Sequence, residues 1–331
     1  MKTIALKTAL LGAALALPQA AAAETLSFAH WVPPQHTLTE STIEPFAEGV
    51  SEATSGELDV EVFPGGELGA GPLEQYVRVV QGVADIVWGL QGYTSSQFPR
   101  TMIAELPGVV TEDRRGYEVL WDAWEAGLLQ DEYPGTKPLA LWTSEPNIFI
   151  MKDVDVRSPE DLEGLKIRVS GSVAGDIIEA LGAIPVQMPA GEIYNALQTG
   201  LIDGVVTGTS AVGDFRLDEV ANSYTYGAPL GQIAFYVVMN QDRFDSLPEE
   251  MQAAVEEHSG RWLSQSAEEG WLAKTDAVRT AITESGDNTV IDLTEDEIQA
   301  FAEITLPVTD QRVEEIGAQD VYEVMTGGEG S

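Results

Sequence analysis

Cysteine is absent from the 331-residue sequence, and histidine occurs only three times, as His30, His36 and His258. The lack of cysteine excludes a disulfide scaffold and thiol chemistry. No two histidines have the H-x-x-x-H spacing of a helical zinc site, so we expect no metal ligand set and no cofactor. The sequence therefore gives little support to an enzyme that depends on a metal or on a cysteine nucleophile.

Two glycine-rich segments lack the residues that would make them phosphate-binding or catalytic loops. Residues 65–71 contain no lysine or hydroxyl at the P-loop positions and carry Glu67 in their middle, which favours a simple turn. Residues 171–175 place Ser172 one position too early for a nucleophile elbow. We therefore expect a protein that is not an enzyme.

Basic residues are scarce, since 17 Lys and Arg stand against 54 Asp and Glu and give a formal net charge of -37. Such a surface repels phosphate backbones and anionic membranes, so we expect no nucleic-acid partner. The acids are spread along the chain, as is typical of a solubilising coat. An anionic ligand would need a well-placed local cation to offset this field.

Long hydrophobic runs are absent after residue 23. Before it, Lys2 and Lys7 precede an apolar run over residues 9–17, and three alanines at residues 21–23 then offer a small-residue cleavage site. This pattern predicts a secretory signal peptide over residues 1–23, with the mature chain starting directly after it. The run is too short to cross a bilayer, which takes about 20 residues. An exported chain of this size without cysteine favours a periplasmic domain.

Strand-like and helix-like segments alternate along the rest of the chain. Alternating or short buried apolar runs predict strands at residues 26–29, 58–63, 84–88, 138–143, 148–151, 165–170, 203–207 and 235–240. Helical spacing predicts helices at residues 41–54, 72–81, 174–181 and 191–199. Capping boxes mark two helix starts, at Ser41 with Glu44 and at Thr294 with Glu297. The alternation predicts an α/β fold with largely parallel sheets.

A helical pattern over residues 248–284 is longer than one small domain needs. At a rise of 1.5 Å per residue it would reach about 55 Å, so we expect a helix that spans two lobes and bends at Gly260 or Gly270. Two separate helices are the alternative. The two α/β halves have no linker between them, which predicts two lobes joined by several crossings of the chain.

The predicted lobes are discontinuous in sequence. We assign residues 24–145 and 234–270 to lobe I and residues 146–233 and 271–325 to lobe II. The Gly-rich, polar residues 326–331 predict a disordered tail.

Six blocks of the sequence resemble the solute-binding proteins of tripartite ATP-independent periplasmic (TRAP) transporters, the DctP-type family or bacterial extracellular solute-binding family 7. The most specific is SPEDLEGLKIRV at residues 158–169, which is similar to the family block S-x-x-D-L-K-G-L-K-I-R-V. The other blocks are FPGGELG at 63–69, LGAIPVQM at 181–188, EIYNALQTG at 192–200, IDG at 202–204 and FDSLPEE at 244–250. Together they extend over nearly the whole mature chain.

The resemblance implies a two-lobed "Venus flytrap" with a long helix bridging the lobes, present as a monomer in the periplasm of a Gram-negative bacterium. It implies a small carboxylate ligand in the interlobe cleft and delivery to TRAP membrane permease subunits. It also implies that Arg168, which matches the family arginine, pairs with the ligand carboxylate. The chemistry agrees, because a planar guanidinium offers two parallel donors to a carboxylate. Arg168 also ends a predicted strand, where α/β sheets bind ligands.

The chain departs from the sialic-acid-type members of the family at positions around the expected cleft. Polar, amide, aromatic or charged residues of those members are replaced here by Trp31, Leu90, Tyr93, Ile148, Ala190 and Thr207. These replacements predict one carboxylate clamp within apolar and aromatic walls. The expected ligand-binding residues are Arg168, Thr207, Trp31, Leu90, Tyr93, Ile148, Trp88 and Tyr236.

Such a cleft favours a compact aromatic or branched aliphatic monocarboxylate. A sugar acid would leave buried hydroxyls unpaired at about 1–3 kcal/mol each. The alternative is a receptor for a C4-dicarboxylate or hydroxyacid, which needs a second cation, and Arg216 and Arg100 are the candidates. A third hypothesis is a periplasmic enzyme or a membrane-anchored sensor domain. The missing nucleophile, metal set and retained span count against it.

Overall fold

The computed structural model describes residues 23–69 and 71–328. Apart from Ala23, the predicted signal peptide lies outside the described residues, as do the last three residues of the predicted tail. Within the described ranges, the strands are β1 (Glu24–Ala29), β2 (Leu58–Phe63), β3 (Ile86–Leu90), β4 (Thr136–Thr143), β5 (Asn147–Met151), β6 (Lys166–Val169), β7 (Ile184–Gln187), β8 (Gly204–Gly208), β9 (Ser223–Tyr226), β10 (Ala234–Asn240) and β11 (Thr289–Asp292).

The α-helices of the described residues flank these strands. They are α1 (Glu44–Ala53), α2 (Gln75–Val80), α3 (Gly116–Glu125), α4 (Ser172–Ala180), α5 (Ile193–Thr199), α6 (Ser210–Asp214), α7 (Gln241–Ser246), α8 (Glu249–Glu257), α9 (Gly260–Glu284), α10 (Glu295–Ile316) and α11 (Gln319–Met325). A π-helical turn, Thr39–Ile43, leads directly into α1.

The strands form two sheets, which define the two lobes. Sheet I of lobe I has the order β2-β1-β3-β10-β4, and sheet II of lobe II has the order β11-β9-β5-β8-β6-β7. All eight predicted strands are present, one with the predicted bounds (β2) and seven with shifted ends, and the α/β, two-lobed fold is confirmed. The first strand of the chain shows the expected parallel pairing, since β1 is parallel to both β2 and β3.

The sheets are mixed rather than largely parallel. The strand β10 runs antiparallel to β3 and β4, and β5 runs antiparallel to β8 and β9. Both β5 and β10 are the first strands after the chain has crossed from the other sheet. Each of these two strands follows a short crossing segment without a helix and enters its new sheet from the cleft side, whereas most of the parallel strands follow a helix.

The long helix α9 bridges the lobes, as predicted. It packs against β4 and the turn Thr39–Ile43 in lobe I and against α6 and β11 in lobe II. Its 25 residues span about 37 Å at the usual rise. The predicted continuous helix over residues 248–284 is instead two helices, because α8 ends at Glu257 and Gly260 opens α9 with a φ of 69°.

The helix α9 continues through Gly270 without interruption. A Cβ atom at Gly270 would lie 2.2 Å from the Cβ atom of Ser41, so glycine allows close packing of α9 on the π-helical turn. The predicted capping box at Ser41 is also wrong. Ser41 lies inside that turn and donates its hydroxyl to the carbonyl of Thr37 at 2.8 Å.

The second capping box is confirmed. The carboxylate of Glu297 accepts the backbone N–H of Thr294 at 2.7 Å, and the Thr294 hydroxyl accepts the Glu297 N–H at 3.4 Å. It begins α10, which leads into α11, and α11 packs against α3. This contact places the last helix against lobe I, although the predicted division assigned residues 271–325 to lobe II. The detailed lobe bounds stay a prediction.

Candidate ligand-binding cleft

A cleft lies between the lobes, at the carboxyl ends of β3, β6 and β8. Lobe I lines it with Trp31, His36, Trp88, Leu90, Ile233 and Phe235, and lobe II with Arg168, Ala190, Thr207, Gly208, Ser210, Ala211, Asp214 and Phe215. Ser144, in the segment between β4 and β5 where the chain first crosses from lobe I to lobe II, and Trp271 of α9 complete the lining. This is where ligands bind in open α/β sheets.

Arg168 supplies a buried positive charge to the cleft. It lies on β6 between β7 and β8, and only 1% of its surface is exposed. Its Nε donates to the carbonyl of Met188 at 3.0 Å, which fixes the guanidinium plane. Its Nη2 has no hydrogen-bond partner among the described residues. Burial lowers the pKa of Arg168, so a ligand anion that restores a partner would be strongly favoured.

Tyr93 joins the lobes beside this arginine. Its hydroxyl accepts the backbone N–H of Ala190 at 2.9 Å and interacts with the Arg168 side chain. Burial raises the pKa of Tyr93, whereas the guanidinium lowers it. The ring lies 5.9 Å from that of Trp31. Tyr93 therefore contacts both Arg168 and the Ala190 backbone from the opposite lobe.

Aromatic rings form a stack across the cleft. Trp88 on β3 lies 5.7 Å from Phe235 and 5.4 Å from Trp31, and Trp31 lies 6.3 Å from Phe215 of lobe II, with interplanar angles of 29°, 21° and 15°. Offset stacks of this kind are favourable between flat apolar surfaces. The stack therefore gives the cleft an aromatic wall with rings from both lobes.

His36 and Asp214 add a polar corner to the lining. The Nδ1 of His36 accepts the N–H of Leu38 at 3.1 Å, which leaves the proton on Nε2, 3.5 Å from Asp214 Oδ2. Burial lowers the pKa of His36 to about 3, so the imidazole is neutral. Thr37 donates its hydroxyl to the same carboxylate at 2.8 Å. The contact links lobe I to α6 of lobe II.

Glu145 attaches α6 to the segment between β4 and β5, the first crossing of the chain between the lobes. Its Oε1 accepts the N–H of Ser210 at 2.6 Å. Its other oxygen is buried without a partner among the described residues, and burial raises the pKa of the carboxyl. The neighbouring Ser144 hydroxyl accepts the N–H of Ile233 on the second crossing at 3.0 Å. Both crossings and the start of α6 are thereby held together at the base of the cleft.

Comparison with protein families gives the identity of this fold. The model of the family described as "Bacterial extracellular solute-binding protein, family 7" (DctP) matches residues 28–316. The chain belongs to this family. A curated relative, the C4-dicarboxylate-binding periplasmic protein DctP of Rhodobacter capsulatus, is 28% identical over 323 residues, which are 95% of this chain and 94% of that protein.

Solved structures of family 7 solute-binding proteins share the two-lobed fold. A TRAP solute-binding protein from Rhodoferax ferrireducens T118, in complex with copurified benzoate, superposes with a TM-score of 0.86 at 27% identity over 92% of this chain and 96% of that chain. A second, from Bordetella bronchiseptica with bound (R)- and (S)-mandelate, has a TM-score of 0.83 at 26% identity over 92% and 98%. The chain is thus a TRAP-type solute-binding receptor.

Five of the predicted site residues of this receptor line the cleft: Arg168, Thr207, Trp31, Leu90 and Trp88. Tyr93 is not among the residues that line the cleft, but its hydroxyl contacts two that are, Ala190 and Arg168. Ile148 pairs with Thr207 in sheet II, and its side chain belongs to the core of lobe II. The ligand contacts of all these residues stay predictions.

Tyr236 lies away from the cleft, contrary to its predicted place. Its ring packs 5.7 Å from Phe98 and 5.9 Å from Tyr76 on the opposite face of sheet I. Side chains alternate between the two faces of a strand, so Phe235 faces the cleft and Tyr236 does not. The partner of Tyr236 across the ladder is Gly89, which leaves room for the phenol ring.

Sequence reasoning missed much of the lining. The residues it did not single out as ligand-binding are His36, Ser144, Ala190, Gly208, Ser210, Ala211, Asp214, Phe215, Ile233, Phe235 and Trp271. The alternation of side chains between the two faces of β10 could have identified Phe235 in place of Tyr236. Trp271 and Asp214 carry no such local signal, because α9 and α6 bring them to the cleft from distant parts of the sequence.

The two cations considered for a second carboxylate lie outside the cleft. Arg100 pairs with Asp320 at 2.6 Å, and Arg216 is largely exposed and pairs with Glu219. Within residues 23–69 and 71–328, no cluster of three or more His, Asp or Glu side chains has the arrangement of a metal site. No helix of the described chain has the length and hydropathy of a membrane span.

Proposed function

We propose that this TRAP receptor captures a small aromatic monocarboxylate and holds it by an ion pair with Arg168. The solute lies in the interlobe cleft and is then delivered to the TRAP membrane permease subunits. The receptor acts as a monomer in the periplasm of a Gram-negative bacterium, after removal of a signal peptide over residues 1–23. It leaves its solute chemically unchanged.

The observation that carries this proposal is the buried guanidinium with an unpartnered Nη2. A buried charge without a counter-charge is costly, and an ion pair with a bound carboxylate removes that cost. The indole N–H groups of Trp31 and Trp88 are also unpartnered. These three groups are all donors, which complements a solute whose polar atoms are acceptors.

The walls support an aromatic solute over a sugar acid. The cleft is lined by five Trp and Phe side chains, namely Trp31, Trp88, Phe215, Phe235 and Trp271. The benzoate and mandelate bound by the Rhodoferax and Bordetella proteins are compact aromatic acids. A uronate would place several hydroxyls against these apolar faces without partners.

A C4-dicarboxylate, the solute of the Rhodobacter relative, is the second candidate. It would require a second cation at the cleft. Arg168 is the only Lys or Arg among the described residues that line it. The monocarboxylate is therefore favoured.

Binding and closure are coupled through contacts with both lobes. Arg168 and Thr207 belong to lobe II, and Trp31, Trp88 and Leu90 belong to lobe I. A solute shifts the equilibrium toward the closed form only if that form binds it more tightly. A solute that fills the space between these two sets of residues meets this condition.

The test is calorimetric titration of the purified mature protein with benzoate, mandelate and succinate. We expect benzoate or mandelate to bind, with recovery of the unaltered acid, and Arg168→Gln to weaken binding by about 100-fold or more, because the carboxylate loses its counter-charge. The matched control is Arg157→Gln, which removes a guanidinium that is 57% exposed and pairs with Glu297. Binding of succinate alone, or benzoate affinity unchanged in Arg168→Gln, would contradict the proposal.

A further inference from the structure

Asp214 is the only acidic residue among the described residues that line the cleft, just as Arg168 is the only Lys or Arg there. Among the described residues no ion pair joins the two, because the Arg168 Nε donates to the Met188 carbonyl and Asp214 pairs with His36 and Lys274. An anionic side chain in the binding site of an anionic solute needs an explanation, because it repels the very ligand that the site is built to hold.

The position of Asp214 is fixed by α9. Gly213 lets α6 approach α9 closely, since a Cβ atom there would lie 2.9 Å from Val278 and 3.1 Å from Lys274. This approach brings the Lys274 ammonium to 3.7 Å from Asp214 Oδ1. The lysine is thus paired with the aspartate and does not itself line the cleft.

Lobe I fixes the same carboxylate from the other side. The backbone N–H and the hydroxyl of Thr37 donate to its two oxygens at 3.3 and 2.8 Å, and the Nε2–H of His36 points to it at 3.5 Å. Burial raises the pKa of Asp214, whereas the Thr37 donors and the Lys274 ammonium lower it. The ion pair with Lys274 and the Thr37 hydrogen bonds therefore hold a carboxylate at the cleft.

We propose that Asp214 is a specificity-determining residue that excludes solutes with a second carboxylate. This inference rests on the function proposed above and adds the basis of its selectivity. Lys274, the cation beside Asp214, is already paired with it. A second carboxylate in the same closed cleft would meet the Asp214 charge and no available counter-charge. The selectivity for monocarboxylates thus comes from a repulsive group as well as from the attractive guanidinium.

The experiment compares 3-nitrobenzoate with isophthalate (benzene-1,3-dicarboxylate), which have nearly the same shape but differ by one charge. Calorimetric titration of the full mature protein should give the nitro compound an advantage of about 30-fold or more, as expected for one unpaired carboxylate. In Asp214→Asn the repulsion is lost and Lys274 is released, so this advantage should fall by about tenfold or more.

A second variant tests the same idea in the opposite direction. Lys274→Gln removes the charge that compensates Asp214, so the advantage of 3-nitrobenzoate should widen. It also keeps the test decisive if circular dichroism shows that Asp214→Asn does not fold. Thr37→Val is the control for closure, because it removes one hydrogen bond to Asp214 and retains both charges. It should weaken both ligands equally and leave their ratio unchanged.

Three results would overturn the inference. The first is wild-type binding of isophthalate about as tight as that of 3-nitrobenzoate. The second is a ratio that does not change in the folded charge variants. The third is rejection of both compounds by a protein that binds benzoate, which would show that volume sets the limit. Failure of the wild-type protein to bind benzoate or mandelate would instead contradict the proposed function itself.

Discussion

Glu105 and His36 are both buried, and burial favours the neutral form of each. The pKa of His36 falls to about 3, whereas that of Glu105 rises to about 8, because desolvation penalises whichever form carries the charge. Arg168 experiences the same desolvation but stays charged, since an arginine starts from a far higher pKa. Of these three side chains the sequence predicted a role only for Arg168, because burial is not visible in a list of residues.

Glu105 makes stability depend on pH. Its Oε1 accepts the N–H of Ala234 at the start of β10, and its folded pKa of about 8 lies above the ordinary 4.5. The stabilising effect of the protonated carboxyl is fully present below pH 4.5 and is lost as the pH rises to about 8, by up to about 1.4 kcal/mol per pH unit.

Urea unfolding of wild type and Glu105→Gln between pH 5 and 8 measures this effect, because the amide mimics the protonated carboxyl. The stability of the variant relative to wild type should increase steadily with pH. A difference between the two proteins that stays constant across this range would show that Glu105 does not titrate in it.

At the scale of elements, a backbone segment of lobe I lies directly against one of lobe II where the lobes close. Gly92 lies in a short helical turn after β3, and Gly171 precedes α4 in lobe II. A Cβ atom at Gly171 would lie 2.7 Å from the Cα and 2.8 Å from the carbonyl oxygen of Gly92. Backbone atoms cannot move aside as a flexible side chain does, so this contact requires a glycine on the lobe II side.

Gly171→Ala should therefore hinder closure while each lobe remains folded. We expect the affinity for benzoate to fall by about tenfold or more, with little change in the unfolding temperature. Gly92→Ala is the matched control, since a Cβ atom there lies at an ordinary 3.4 Å from Gly171. Equal loss of affinity in both variants, or in neither, would contradict the steric argument.

At the scale of the whole molecule, three segments that contribute to the cleft cross between the lobes, namely the two short segments that lead into β5 and β10, and α9. The described chain crosses once more through α10, which leads to α11 on lobe I. Contacts across the cleft, such as Thr37 with Asp214 and Phe215 with Trp31, exist only when the lobes are together. The described structure thus has the closed arrangement, and solute binding should stabilise it.

Small-angle X-ray scattering tests closure of the whole molecule. Addition of benzoate to the wild-type protein should reduce its radius of gyration, because the solute bridges both lobes. The Gly171→Ala variant should show less compaction at a saturating benzoate concentration. Dimensions of the wild-type protein that do not change on binding would show that closure does not accompany capture.

The sequence by itself determined the family, the α/β lobes and the long bridging helix, and it predicted a role for Arg168, because these depend on local periodicity and on contiguous motifs. It did not reveal the short strands β7, β9 and β11. The tertiary structure alone decided that Phe235 rather than Tyr236 faces the cleft, and that His36, Asp214 and Trp271 line it. The physical reason is that the cleft is built where three crossings bring together residues more than 200 positions apart, and no local pattern encodes those contacts.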